Sequence, residues 1–271
     1  PGRVIDVGIA EAEAVASAAG MAYQGAHPVV ALYATFLNRG FDQLLMDVAL
    51  HRAGVTFVLD RAGVTGADGA SHNGVWDIAM CSMIPGLRLA APRDEETLRA
   101  RLREALDVDD APTVIRYRKG SLPEPMPALR SVGGVDILFD EAVADSSARV
   151  LIVGTGACAP DAIDAARRLA ADGVSVTVAD PQWMIPISSD LATLAGDYDC
   201  VVSVEDGIVQ GGFGWSLRES VADTGVPVRC LGVPQGFPEH GDRAEMIAQF
   251  GYDADGIERA ARELVERISN R

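Results

Sequence analysis

The sequence contains very little lysine and no long apolar run. Lys119 is the single lysine among 23 basic residues, and 39 acidic residues leave a formal net charge of −16. This negative excess repels the phosphate backbone of nucleic acids, so nucleic-acid binding is not expected. No segment approaches the roughly 18 consecutive apolar residues that a membrane-spanning helix needs, so no membrane association is expected.

Cysteine and histidine are also scarce, with four residues of each. The cysteines are far apart and include no Cys-x-x-Cys pair, which is typical of a protein from a reducing compartment. The first residues show no basic region followed by an apolar stretch, so we expect a cytoplasmic protein without a signal peptide. His27, His51 and His240 have no partners at metal-ligand spacing, so no metal site made by this chain is expected.

The 271 residues are enough for roughly two domains, and 48% of them are hydrophobic. Short runs rich in Val and Ile alternate with Ala-rich segments of helical period, which predicts an α/β fold with two parallel-sheet domains and helices on both sheet faces. Strands are predicted at 4–8, 28–33, 55–60, 87–91, 113–117, 150–154, 174–179, 200–205 and 226–231. Helices are predicted at 11–23, 36–52, 94–106, 160–171, 213–223 and 253–268.

A proline-rich stretch interrupts this alternation after Lys119. Proline density of that kind marks a linker, so the sequence predicts a first domain at 1–120, a linker at 121–147 and a second domain at 148–271.

Three clusters of reactive side chains follow successive predicted strands, where parallel sheets bind ligands. The first is Gly8-Ile9-Ala10-Glu11, the second runs from Tyr33 to Asp42, and the third, at 60–74, combines glycines with two Asp, an Arg and a His. Each has a plainer interpretation. Glu11 can be an acid that interacts with the helix dipole. The aromatic residues of the second cluster can belong to the core, with its Arg in a salt bridge, and the third cluster can be a glycine-rich turn.

Taken together, the clusters resemble the 1-deoxy-D-xylulose-5-phosphate synthase family, thiamine-diphosphate enzymes of the transketolase superfamily. The resemblance continues at 90–94 and 116–120, and into the second domain at 180–183 and 204–207. It implies that the chain is the pyrimidine-binding domain plus the C-terminal domain of such an enzyme. The reaction implied is decarboxylation of pyruvate and condensation with glyceraldehyde 3-phosphate.

The resemblance also implies roles for individual residues. Glu11 matches the catalytic glutamate that hydrogen-bonds N1′ of the cofactor's aminopyrimidine, and a carboxyl group there can move a proton through the ring. His72, with Asp68 close in sequence, matches the histidine that handles protons during the carbon–carbon chemistry. The remaining matches are Phe36 and Arg39 at the cofactor, and Tyr33, Arg61 and Lys119 at the acceptor phosphate.

The sequence departs from the family in two places. Glu13 replaces a histidine, and helix geometry places it about 200° around the axis from Glu11, so we expect it to point away from the pyrimidine. Lys119 stands where arginine is common, and it holds a phosphate as a point charge rather than as a bidentate fork.

No Gly-Asp-Gly segment followed about 30 residues later by Asn is present, so this chain is expected to lack the site for the diphosphate and Mg²⁺. The resemblance also implies that the opening strand and helix of the pyrimidine-binding domain precede Pro1. We therefore expect a complementary domain or chain, in a homodimer or heterotetramer.

Other interpretations remain open at this point. The chain can be a subunit of a two-component transketolase-like enzyme with another donor or acceptor, or a catalytically silent partner subunit. Gly154-Thr155-Gly156-Ala157-Cys158-Ala159, with Asp180 at the next strand end, resembles a dinucleotide fingerprint, although the acid comes 26 residues after the first glycine rather than about 20. A second glycine-rich turn at 206–214 lacks the Lys-Ser/Thr of a P-loop, so close helix packing is expected there.

Overall fold

The computed structural model describes residues 2–121, 123–146 and 148–270, which fold around two sheets. The first sheet is parallel, with strand order β1-β2-β4-β3. Its strands are β1 (Val29–Tyr33), β2 (Thr56–Asp60), β3 (Arg88–Ala90) and β4 (Thr113–Arg116). Its helices are α1 (Glu11–Tyr23), α2 (Phe41–Gln43), α3 (Asp77–Ser82) and α4 (Glu95–Leu106), and α2 lies between a 3₁₀ turn (Ala34–Gly40) and a π-helical turn (Leu44–Ala49).

The second sheet has six strands in the order β10-β9-β7-β8-β6-β5. Four of them are parallel, whereas β6 runs antiparallel to both β5 and β8. The strands are β5 (Arg130–Val132), β6 (Val135–Glu141), β7 (Arg149–Gly154), β8 (Ser175–Pro181), β9 (Cys200–Ile208) and β10 (Val228–Val233). The helices are α5 (Ala159–Ala171), α6 (Ser189–Gly196), α7 (Phe213–Ser220), α8 (Arg243–Phe250) and α9 (Ala254–Ser269).

Burial explains why these segments form these elements. Every residue of β8 and β9 is buried, as expected for strands covered on both faces. On α9 the buried residues Ile257, Ala260, Ala261 and Leu264 recur at helical spacing and pack in a cluster that also contains residues of α5. The predicted α/β class, with two mostly parallel sheets and their helices, is confirmed.

Two sequence predictions need correction. The described part of the chain has no strand at 4–8, where Val4 and Ile5 are exposed because no neighbouring strand pairs with them. The predicted linker at 121–147 contains β5 and β6, and β6 pairs with β8, so this part of it belongs to the second sheet. Leu122 and Ser147 of that segment, like Pro1 and Arg271 at the ends, lie outside the described residues. The division into domains at this segment stays a prediction.

The two sheets share part of their core. One cluster of buried apolar side chains joins Leu59 and Leu89 of the first sheet to Ile137 and Val153 of the second. At the edge of the first sheet, the Leu89 amide donates to the Ile185 carbonyl at 3.0 Å. The parts of the chain around the two sheets therefore pack directly against each other. No helix in the described ranges is long and apolar enough to cross a membrane.

Candidate active site

The predicted site residues gather at the carboxyl edge of the first sheet. The register pairs Tyr33 at the end of β1 with Asp60 at the end of β2, and Arg61 follows directly. Because both strands run in the same direction, their following loops leave the sheet side by side. α1 begins beside these loops with Glu11.

Glu11 is 9% exposed, and its carboxylate accepts hydrogen bonds from Arg39. One guanidinium nitrogen, Nη1, lies 3.2 and 3.3 Å from the two carboxylate oxygens. Gly40 allows this approach, since a Cβ at that position would lie 2.8 Å from Cγ2 of Val15 on α1. The close packing of the 3₁₀ turn on α1 brings Arg39 to the buried acid, while half of the Arg39 side chain stays exposed.

An aromatic platform lies next to this pair. The rings of Tyr33 and Phe36 are nearly parallel, with centroids 5.8 Å apart, and the His72 ring meets Phe36 edge-on at 5.5 Å. The guanidinium of Arg61 covers the Tyr33 ring at 3.9 Å, and that of Arg39 covers Phe36 at 4.5 Å. Stacking of a cation on an aromatic face is stabilising, so the platform orients both arginines.

The loop 61–74, which we call the site loop, is closed at its neck and carries three predicted residues. The Gly63 amide donates to the Gly74 carbonyl at 2.7 Å. Gly63 has φ +80°, a left-handed conformation suited to glycine, and Arg61 itself has φ +58°. The loop places His72 against Phe36, with Nδ1 2.9 Å from the Ser71 hydroxyl.

Asp68 of the site loop contacts Lys119 rather than His72. The Lys119 ammonium donates to an Asp68 carboxylate oxygen at 2.6 Å. This hydrogen bond lowers the pKa of Asp68, with smaller contributions from the charges of Lys119, Arg61 and His72. Asp68 therefore stays ionised and serves here as the partner of the single lysine.

Each predicted cation of the site is already paired with a carboxylate. Arg39 meets Glu11, Lys119 meets Asp68, and Arg61 meets Asp60 at 2.6 Å. The Arg61–Asp60 and Lys119–Asp68 pairs are partly exposed, and pairs of this kind contribute little, typically about 0–1 kcal/mol, because water solvates the separated charges well. An incoming phosphate can therefore compete for these cations at small cost.

Sequence reasoning missed the residues that hold the site loop. Thr35 donates to the Ser71 carbonyl at 3.1 Å, and the buried Asn73 side chain accepts from the Thr65 amide at 2.8 Å. Thr35 and Asn73 lie inside the motifs that carried the resemblance, yet a single sequence does not say which polar residue of a loop faces inward. Within the described ranges, no group of three or more His, Cys, Asp or Glu side chains is arranged to hold a metal ion.

The two other glycine-rich turns are filled by the protein. At the dinucleotide-like turn, the Gly156 amide donates to the buried Asp180 carboxylate at 3.2 Å, and a Cβ on Gly156 would overlap the Ala91 carbonyl. At the start of α7, Glu205 accepts from the Phe213 and Gly214 amides at 2.9 Å each. The Gly156, Phe213 and Gly214 amides are therefore already hydrogen-bonded to carboxylates of the chain and are not available to a pyrophosphate.

Comparison with known proteins agrees with this architecture. Residues 1–125 match the transketolase pyrimidine-binding domain, and residues 141–257 match the transketolase C-terminal domain. The chain therefore belongs to the transketolase family.

Within that family the chain is similar to 1-deoxy-D-xylulose-5-phosphate synthases, as the motifs predicted. It is 52% identical to the enzyme of Corynebacterium glutamicum (strain R), covering 95% of this chain and 42% of that protein. It is 53% identical to 1-deoxy-D-xylulose-5-phosphate synthase 2 of Kitasatospora griseola, covering 99% of this chain and 43% of that protein. The chain thus spans less than half the length of these curated relatives.

Two solved structures share the fold. One is a split gene transketolase, described as an "inactive beta4 tetramer", with a TM-score of 0.83 at 26% identity. The match covers 97% of this chain and 83% of that chain. Transketolase from Leishmania mexicana has a TM-score of 0.77 at 21% identity, covering 96% of this chain and 38% of its own.

Proposed function

We propose that this chain supplies the pyrimidine-binding and C-terminal part of a thiamine-diphosphate-dependent 1-deoxy-D-xylulose-5-phosphate synthase. The reaction condenses pyruvate, with loss of CO₂, and glyceraldehyde 3-phosphate. One observation carries the proposal: side chains separated by up to 61 positions in the sequence form one connected set at a single sheet edge, namely Glu11, Tyr33, Phe36, Arg39, Arg61 and His72.

The residues at this edge suit the pyrimidine end of the cofactor. Glu11 is a carboxyl group held at a helix start with little solvent access, which fits a group that holds and moves a proton at N1′. Phe36 offers a half-buried aromatic ring for stacking on a heterocycle. When bound, thiamine diphosphate supplies the carbon nucleophile and electron sink for decarboxylating a 2-oxo acid.

Arg61 and Lys119 fit the phosphate of the acceptor. Both cations lie at exposed or half-exposed positions, and Arg61 is held over the Tyr33 ring. These groups can form charge-assisted hydrogen bonds to a phosphate in place of their present contacts with Asp60 and Asp68. His72 meets the Phe36 ring edge-on at 5.5 Å, and an imidazole at this position can donate or accept a proton during bond formation.

The diphosphate and Mg²⁺ are expected to be held by a complementary domain or chain. We propose that the active form is a homodimer or heterotetramer in which that domain faces the Glu11 edge, and that the protein is cytoplasmic. The solved split gene transketolase supports a second candidate, a two-component transketolase-like enzyme with another donor or acceptor. A catalytically silent partner is the third possibility, and intact Glu11, Arg61 and His72 argue against it.

Isothermal titration of this chain with thiamine diphosphate and Mg²⁺, with and without the complementary domain, tests the proposal. We expect tight binding only with both parts present, and then turnover of pyruvate with glyceraldehyde 3-phosphate. Micromolar binding by this chain alone would contradict the division of the site. Equal use of a non-phosphorylated acceptor by the complete enzyme would favour the second candidate.

A further inference from the structure

Asp206, a residue of the second sheet outside the proposed catalytic set, contacts the site loop. Asp206, in β9, is 1% exposed and far from the loop in sequence. Its Oδ1 accepts from the Val64 amide at 3.0 Å. A Cβ on Gly63 would overlap the same carboxylate, so the loop backbone lies directly against it.

Three further groups hold the Asp206 carboxylate and backbone. Tyr252 donates its hydroxyl to Oδ1 at 2.9 Å, and Arg243 donates to Oδ2 at 2.6 Å. Arg116, at the end of β4, donates to the Asp206 carbonyl at 2.9 Å while it pairs with the buried Asp77 at 2.7 Å. A buried carboxylate with this many donors has a single well-defined position.

This arrangement does more than join two sheets. The contact falls at the neck of the site loop, where Gly63 bonds Gly74, and the residues on either side of the neck are Arg61 and His72. A second hydrogen bond also joins this end of the loop to the C-terminal half of the chain: the Asn73 side chain donates to the Pro238 carbonyl at 3.3 Å. The second sheet thereby determines where the loop lies over Tyr33 and Phe36.

We propose that Asp206 is a positioning residue of the active site, which acts through the Val64 amide to hold the site loop against the aromatic platform. The anchoring itself rests on the contacts above. Its consequence for the reaction rests on the proposed function, through Arg61 and His72.

Hydrogen exchange of the full chain, followed by mass spectrometry of peptides from the site loop, tests the anchoring. Asp206→Asn keeps the shape of the side chain but turns one acceptor into a donor, which faces either the Val64 amide or Arg243. We expect loop amides to exchange about tenfold faster or more, with α1 and α5 unchanged. Glu205→Gln is the matched control, because Glu205 is an adjacent buried acid whose carboxylate bonds α7 and not the loop.

If Asp206→Asn does not fold, Tyr252→Phe removes one donor from the same oxygen and is expected to speed loop exchange by a smaller factor. Unchanged loop exchange in the folded variant, or equal acceleration throughout the chain, would overturn the proposal. In the complete enzyme, we expect Asp206→Asn to raise KM for the phosphorylated aldehyde while leaving affinity for thiamine diphosphate nearly unchanged. Faster exchange of the loop amides with an unchanged KM would support the anchoring by Asp206 but contradict the proposed phosphorylated acceptor.

Discussion

The carboxyl edges of the two sheets carry similar glycine-rich turns but differ in what binds there. On the second sheet, buried carboxylates of the chain occupy the turn amides: Asp180 at Gly156, and Glu205 at Phe213 and Gly214. On the first sheet, the acids pair with exposed or half-exposed cations, as Asp68 does with Lys119. The second edge is therefore internally satisfied, and the first can exchange its partners for a ligand.

The difference shows why a glycine pattern alone does not identify a binding site. Glycine permits close approach of another group, and that group can be a cofactor or the protein itself. At Gly156 the approaching group is the carbonyl of Ala91, the residue after β3. The Gly156 amide is already bound to Asp180, which argues against the dinucleotide interpretation of residues 154–159.

The largest expected effect tests whether the first edge is catalytic. In the complete enzyme, Glu11→Gln should slow the chemical step about 100-fold or more, because an amide cannot relay a proton. Deuterium exchange at C2 of thiamine diphosphate measures that step. Glu13→Gln is the matched control, since Glu13 is exposed two residues along α1 and accepts from the Ser17 hydroxyl. An unchanged exchange rate in Glu11→Gln would rule out the relay.

A second test compares two stacked arginines, one on each region. Arg61 lies over Tyr33 at 3.9 Å and Arg149 over Tyr198 at 4.9 Å. Arg61→Ala should raise KM for the phosphorylated aldehyde about tenfold or more, with less effect on pyruvate, because a charge-assisted contact is lost. Lys119→Ala should act in the same direction. Steady-state kinetics should show no change in Arg149→Ala. Equal effects of the two substitutions on KM would contradict a specific role of Arg61 in binding the acceptor.

A third test concerns stability at the second edge. Burial raises the pKa of Glu205 to about 7 from an ordinary 4.5. The fold therefore favours the protonated form, and the stability this group contributes is complete below pH about 4.5 and lost as pH rises through about 7. In urea titrations, the unfolding free energy of wild type should fall relative to Glu205→Gln across that window, by at most about 1.4 kcal/mol per pH unit. A pH-independent difference would contradict the raised pKa.

The smallest expected effect concerns Glu13, where the family usually has histidine. The exposed position and the contact with Ser17 agree with the helix geometry that points it away from Glu11. Glu13→His should leave cofactor affinity of the complete enzyme nearly unchanged while shifting donor or acceptor preference. Competition between pyruvate and other 2-oxo acids, expressed as a ratio of kcat/KM, measures this. Altered cofactor affinity with a constant ratio would show that Glu13 acts on the pyrimidine.

Much of the fold follows from local pattern. Helix α1 begins at Glu11 and ends at Tyr23, as predicted, and the four strands of the first sheet lie within a residue or two of the predicted positions. Shorter or less periodic elements were missed, among them α3, α6, α8 and the β5–β6 pair. The β5–β6 pair follows a proline-rich stretch, and β6 forms its hydrogen bonds with β8, which lies about 40 residues further along the chain. Local propensity is weak where a distant strand supplies the stabilising hydrogen bonds.

The sequence by itself determined the α/β class and the candidate side chains, because hydrophobic periodicity and motif order are local properties. Only the tertiary structure decided which partners those side chains have. It pairs Asp68 with Lys119 rather than His72, fills the turn at Gly156 with Asp180, and brings Asp206 to the neck of the site loop. These contacts join residues tens of positions apart, and their geometry depends on the packing of two sheets, which no local pattern encodes.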